Sequence, residues 1–193
     1  MAIRQSMLSA AGAILLGIGV LTQSSRLLGQ APGKSLAPYV PTPQEIVERM
    51  LALAEVTAKD IVYDLGSGDG RIPITAARKY GAHAVGVDID PQRVAESRIN
   101  AKKAGVENLV EFRQQDAMTV DVSSATVVTL YLSNASNLAL RPLLTRQLKP
   151  GARIVSHVFN MGDWGPVKVD EFRDSTGVVD TLYMWRADGT VRP

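Results

Sequence analysis

Between Ile61 and Phe159, short apolar, β-branched runs alternate with stretches of helical spacing, and that alternation leaves the chain few folds. IVYDLG (61–66), AVGVDI (84–89), LVEFRQQ (109–115), TVVTLYL (126–132) and ARIVSHVF (152–159) read as five strands. The spacing predicts a helix from about Arg71 to Tyr80, closed by Gly81, and a second opened by Asp90-Pro91 and ended by Gly105. A third carries Leu138, Leu140, Leu143 and Leu144 and stops at Lys149-Pro150-Gly151. Upstream, Thr42, Pro43 and Glu45 have the order of a capping box, ahead of Ile46, Val47, Met50, Leu51 and Ala54 at helical spacing. Strands joined through helices form a parallel sheet covered on both faces. VKVDEFR (167–173) and VVDTLYMWR (178–186), flanking a turn at 174–177, add an antiparallel hairpin. The expected fold class is α/β: a Rossmann-like, mostly parallel sheet with helices on both faces and a C-terminal hairpin.

The segment most informative about chemistry is Asp64-Leu65-Gly66-Ser67-Gly68-Asp69-Gly70, where a strand runs into a loop with glycine at every second position. Such glycines let the backbone turn tightly and let a ligand lie against it, at the strand end where open α/β sheets bind ligands. Arg71 stands where a dinucleotide fingerprint needs its third glycine, and no lysine follows Gly70 as a P-loop requires. A carboxylate at Asp64 would repel a pyrophosphate but suits a ligand carrying an ammonium and a sulfonium, as S-adenosylmethionine does. Asp88 ends the second strand about 18 residues after Gly70, near the spacing at which an acidic residue meets a ribose. Ile89 beside it is placed to press on an adenine face. Asp116 ends the third strand and can accept from the adenine amino group, with Ala117 and Met118 alongside. The expected cofactor contacts are Asp64, Gly66, Ser67, Gly68, Gly70, Asp88, Ile89, Asp116 and Ala117.

Composition narrows the alternatives. The chain has 193 residues, 46% of them hydrophobic and 21% charged, enough for one ordinary globular domain plus an extension. With no cysteine and 2 histidines, it has no disulfides and no material for a thiolate or histidine-rich metal centre. A net charge of +2 gives no electrostatic case for nucleic acid, and none is expected as a partner. Residues 1–38 stand apart from the domain at 39–193. The apolar run at 7–21 has signal-core length, short of the roughly 20 residues of a full span, and a Gly/Pro/Ser-rich linker follows. It reads as an uncleaved anchor, the alternative being a removed signal ending near Ala31 and an exported protein. Arg26 and Lys34 after the run outnumber Arg4 before it, which favours a domain facing the cytoplasm.

The D-x-G-x-G-x-G loop, the acidic end of the second strand and the late Leu148-Lys149-Pro150-Gly151-Ala152-Arg153-Ile154-Val155-Ser156 segment together resemble class I S-adenosylmethionine-dependent methyltransferases. Tyr39-Val40-Pro41-Thr42, the Asp64–Arg71 stretch, and Gly151–Ser156 followed by Phe159 and Trp164 resemble a narrower group. These are the small lysine methyltransferases of the mitochondrial inner membrane, which modify the adenine nucleotide translocase and the ATP synthase c-subunit. The resemblance spans residues 39–166 and implies a protein-lysine acceptor on a membrane-associated protein. Two departures stand out: Asp88 replaces the group's usual glutamate, and Tyr131-Leu132-Ser133-Asn134 lacks the N-P-P-Y type motif of many enzymes that methylate DNA or glutamine.

Tyr39, Tyr131, Phe159 and Trp164 are the candidates for an acceptor channel, since aromatic faces hold an ammonium by cation–π attraction. Core packing is an equal reading for Tyr131 and Phe159. No general base stands out: Asp69 and His157 are the polar candidates, His157 reading rather as a satisfied buried histidine. Arg71, Lys102 and Lys103 read as solvated helix charges. Two other functions stay open, a small-molecule methyltransferase and a membrane-tethered module that binds the nucleoside without catalysis. The chain leaves little protein for a lid, which favours a large acceptor.

Overall fold

The computed structural model describes residues 35–193. The anchor or signal expected at 7–21 lies outside the described residues, among which no helix is long and apolar enough to cross a membrane. Seven strands form one sheet: β1 Ile61–Leu65, β2 His83–Asp88, β3 Val110–Gln114, β4 Val127–Leu130, β5 Arg153–His157, β6 Lys168–Arg173 and β7 Val179–Arg186. Their order is β3-β2-β1-β4-β5-β7-β6. The first five are parallel, and β7 runs antiparallel between β5 and β6. The helices are α1 Gln44–Leu53, α2 Arg71–Tyr80, α3 Pro91–Lys103 and α4 Asn134–Gln147.

The central apolar runs become strands β1, β2, β4 and β5, buried on both faces, with all four residues of β4 inaccessible, while β3 at the sheet edge is largely open. One core joins Ile46, Met50 and Leu51 of α1 and Ile72 and Ala76 of α2 to Val62, Val127, Val155 and Leu182. The other lies across the sheet, where Leu140 and Leu144 of α4 meet Leu65, Val128, Leu130, Ile154 and Trp185. α2 and α4 thus cover opposite faces. β1 and β4 are neighbours, so the crevice at their C-terminal ends is the topological switch point, where ligands bind in such sheets.

Helix ends follow local chemistry. The Asp90 carboxylate accepts from Gln92 N at the start of α3, and Ser133 Oγ accepts from Ser136 N at the start of α4. The capping box expected at Thr42 does not form. α1 begins at Gln44, with Pro43 as its cap and no side-chain cap bond. Thr42 is buried with its carbonyl held by Arg71, and the Glu45 carboxylate accepts from Ser175 N and Oγ instead. Tertiary partners outcompete the local motif.

The opposite, N-terminal edge of the sheet is tied by Asp60. Its carboxylate accepts from Thr57 N (2.8 Å) and Thr126 Oγ1 (2.7 Å) and pairs with the Arg153 guanidinium, which also donates to Ala54 O. Burial raises the Asp60 pKa, but the Thr126 and Thr57 bonds and the Arg153 charge outweigh it and hold the group below its usual range. Its contribution is therefore present above the ordinary carboxylate pKa and lost as pH falls through the depressed folded value. Asp60→Ala strands a buried guanidinium and is expected to lose about 3–5 kcal/mol at pH 7. Urea denaturation from pH 7 to pH 3 checks this, the gap to wild type narrowing at the acid end.

Candidate active site

A cavity of about 230 Å³ opens at the switch point. Its floor is the loop from β1 to α2, where Gly66, Gly68 and Gly70 have φ of 83°, 53° and 82°. These left-handed angles are open to glycine at little cost. Gly66 N and Ser67 N both donate to Val87 O (2.8 and 3.0 Å), and Gly68 N donates to Asp88 Oδ2 (2.8 Å). The other Asp88 oxygen accepts from Asp90 N (2.9 Å), so this carboxylate ties the glycine loop to the start of α3.

Of the expected cofactor contacts, Asp64, Gly66, Ser67, Gly68, Asp88, Ile89, Asp116 and Ala117 all line this cavity. Gly70 does not: it caps α2, and a Cβ there would meet Phe112 at 2.5 Å and Ser97 at 2.8 Å, so packing requires its glycine. Asp116 also shapes its own loop, Oδ1 accepting from Met118 N at the turn Ala117–Thr119.

Asp64 is 3% exposed, and its Oδ1 accepts from Thr129 Oγ1 at 2.7 Å. Burial pushes its pKa up to about 7, the Thr129 bond opposes, and the like charges of Asp88 and Asp69 add to the rise. The buried Ser67 Oγ has no hydrogen-bond partner among the described residues. A carboxylate held at the edge of ionisation and an orphaned hydroxyl, both at a cavity wall, fit a cationic ligand with polar groups.

The roof is the segment Ser35–Thr42, all of which lines the cavity. The short chain leaves little protein for a lid, yet this strap supplies a wall. Ser136 Oγ donates to Leu36 O (2.6 Å), and Arg71 Nη1 donates to Thr42 O (2.6 Å). The Tyr39 ring lies under the Arg93 guanidinium (4.2 Å) and so close to Gly68 that a Cβ there would meet it at 2.6 Å. Arg71 is therefore not a solvated helix charge; it pairs with Asp69 at 2.6 Å and clamps the strap. Burial raises the Asp69 pKa, but the Arg71 bond and charge outweigh it, so Asp69 stays ionised and makes a poor base.

Among the acceptor candidates, Tyr39 and Tyr131 line the cavity, and Phe159 and Trp164 do not. Phe159 stacks behind Tyr131, ring centroids 6.1 Å apart. Trp164 is a core residue: it packs on Trp185, accepts from Trp185 Nε1 at its carbonyl (2.6 Å) and is covered by Arg192. His157 is buried with Nε2 2.7 Å from Asp180 Oδ1, while Nδ1 has no partner among the described residues. Thr129, Arg93 and the Leu36 anchor were not anticipated, since each acts through a contact remote in sequence.

A model of the ANTKMT methyltransferase domain matches residues 64–168, from the buried aspartate through β5. The chain belongs to this methyltransferase family. It is 45% identical to a protein-lysine N-methyltransferase of Saccharolobus islandicus over 77% of this chain and 92% of that one. A human lysine N-methyltransferase named for the ATP synthase c-subunit is 31% identical, over 88% of this chain and 70% of that one. A solved structure described as an RNA methyltransferase from Salinibacter ruber, in complex with S-adenosylhomocysteine, is 53% identical, with a TM-score of 0.74 over 79% of this chain and 97% of that chain. The enzyme is an S-adenosylmethionine-dependent methyltransferase with the class I fold.

Two substitutions separate the site from the core. The fold favours protonated Asp64, so its stabilising form is complete below pH 4 and lost as pH rises toward about 7. Asp64→Asn is expected to raise the melting temperature of the cofactor-free enzyme at pH 8 and to leave it nearly unchanged at pH 4. Trp164→Ala is expected to cost about 3–5 kcal/mol while leaving calorimetric affinity for S-adenosylhomocysteine intact.

Proposed function

We propose that the enzyme methylates the ε-amine of a lysine in a protein, the amine entering the cavity between Tyr39 and Tyr131. The observation carrying this reading is that both aromatic side chains line the same cavity as Asp64. The names of the Saccharolobus islandicus and human relatives support it. S-adenosylmethionine supplies a methyl group on a sulfonium, activated for in-line displacement.

In this reading ionised Asp64 meets the ammonium of the cofactor's amino-acid part, and the Ser67 hydroxyl gains the partner it lacks. Asp88 uses its remaining lone pairs for the ribose hydroxyls, Ile89 and Ala117 flank the adenine, and Asp116 accepts from its amino group. Gly66 and Gly68 leave the cleft floor free of side chains. A lysine with an ordinary pKa near 10.4 must shed a proton before attack, and removal from water in an aromatic-walled cavity favours the neutral amine. Cation–π attraction of about 0.5–2 kcal/mol gathers the charged form first. Burial, then the charge of Asp180, raises the Tyr131 pKa, so the wall stays an uncharged phenol.

The acceptor proposed is a membrane-associated protein. Relatives named for the adenine nucleotide translocase and the ATP synthase c-subunit favour it, as does the apolar run at 7–21, which would tether the catalytic domain on the cytoplasmic side. RNA is the second reading, favoured by the description of the Salinibacter ruber structure.

The test is transfer from a methyl-labelled donor to separated membrane, soluble-protein, RNA and small-molecule fractions. Label recovered as methyl-lysine in the membrane fraction is expected; label confined to RNA or small molecules overturns the lysine reading. In the same enzyme, affinity for S-adenosylhomocysteine should rise with pH through about 7 as Asp64 ionises. Asp64→Asn should flatten that profile and weaken binding about 10–100-fold, the loss of one charge-assisted bond.

A further inference from the structure

We propose that His157 and Asp180 form a positioning pair that holds the Tyr131 ring at the acceptor end of the cavity; the proposal rests on the acceptor reading of Tyr131 given above. His157 ends β5 and Asp180 lies on the adjoining strand β7, their side chains 3% and 11% exposed and joined at 2.7 Å. The His157 ring lies against Tyr131 with centroids 4.3 Å apart, and Phe159 stacks on Tyr131 at 22° between ring planes. Only Tyr131 of the three lines the cavity, so the other two reach the acceptor through it.

Two features are hard to explain by packing alone. His157 Nδ1 is buried with no hydrogen-bond partner among the described residues, a costly arrangement that an apolar residue would avoid. Val158, a β-branched residue, has φ of 66°, and Phe159 N donates to His157 O (2.8 Å), closing a three-residue turn. Strain of this kind persists where the surrounding structure over-determines it, and it gathers at functional sites. Here the turn brings both flanking rings, His157 and Phe159, onto Tyr131. From α4, Asn137 Nδ2 fixes the turn by donating to Ser156 Oγ and Phe159 O.

The groups facing the imidazole are Asp180 from β7 and Tyr131 from the segment after β4. Burial lowers the His157 pKa against the pull of Asp180, which keeps the ring neutral, with Nε2–H donating to the carboxylate. A single hydrogen bond thus sets the orientation of the imidazole, and the imidazole sets the plane of Tyr131.

A double-mutant cycle tests this, using the full chain and whichever acceptor takes up the methyl group. His157→Gln is expected to lower kcat about 10–100-fold, as misplacement of an acceptor does, with S-adenosylhomocysteine affinity unchanged. In a Tyr131→Leu background the same change should move kcat by less than about 3-fold. Asp180→Asn carries the same cycle if His157→Gln does not fold. Effects that multiply across the two sites, an unchanged kcat in the folded single variants, or a matching loss of S-adenosylhomocysteine affinity would each overturn the proposal. A non-lysine acceptor would remove the lysine reading and leave the coupling measurement valid.

Discussion

The carbonyl of Val87 accepts from both Gly66 and Ser67, and the Asp88 carboxylate accepts from Gly68, so the loop after β1 is pinned to the end of β2. Everything at the C-terminal edge depends on that clamp. It holds the glycines in left-handed backbone, brings Gly68 under the Tyr39 ring, and leaves Ser67 Oγ buried at the cavity wall without a partner among the described residues. Two parallel strands diverging into separate helices would otherwise leave these N–H groups to water.

The two edges of the sheet are built differently. At the N-terminal edge Asp60 is matched bond for bond by Thr57, Thr126 and Arg153. At the C-terminal edge, among the described residues, Asp64 accepts one hydrogen bond, from Thr129, and has two like charges nearby, Val158 is strained, and His157 Nδ1 has no partner. Stability is concentrated at one edge and unsatisfied chemistry at the other, which is the usual division in open α/β sheets.

How legible each part was follows from how local its cause is. The five parallel strands, the α2 boundaries from Arg71 to Tyr80 and the hairpin were readable because hydrophobic runs and glycine stops act within a few residues. The cavity-lining aspartates were readable because strand ends in this fold all face one crevice. The capping box at Thr42 does not form, its Glu45 carboxylate accepting instead from Ser175, 130 positions away. Trp164 was misplaced for a similar reason: its partner Trp185 lies on β7, and no short-range pattern announces that packing. The same distance hid the His157–Asp180 pair, whose members meet only once the hairpin folds back on β5.

The strap from Ser35 to Thr42 has a consequence beyond walling the cleft. The chain enters the domain along it, held among the described residues by Ser136 at Leu36, by packing of Leu36 and Ala37 on the core, by Gly68 and Arg93 at the Tyr39 ring, and by Arg71 at Thr42. Any tension arriving along the backbone from residues upstream of Ser35 is therefore borne first by the cover of the ligand cleft. In this enzyme the entry of the chain into the domain and the wall of the cleft are one continuous piece, so a displacement of one is felt at the other.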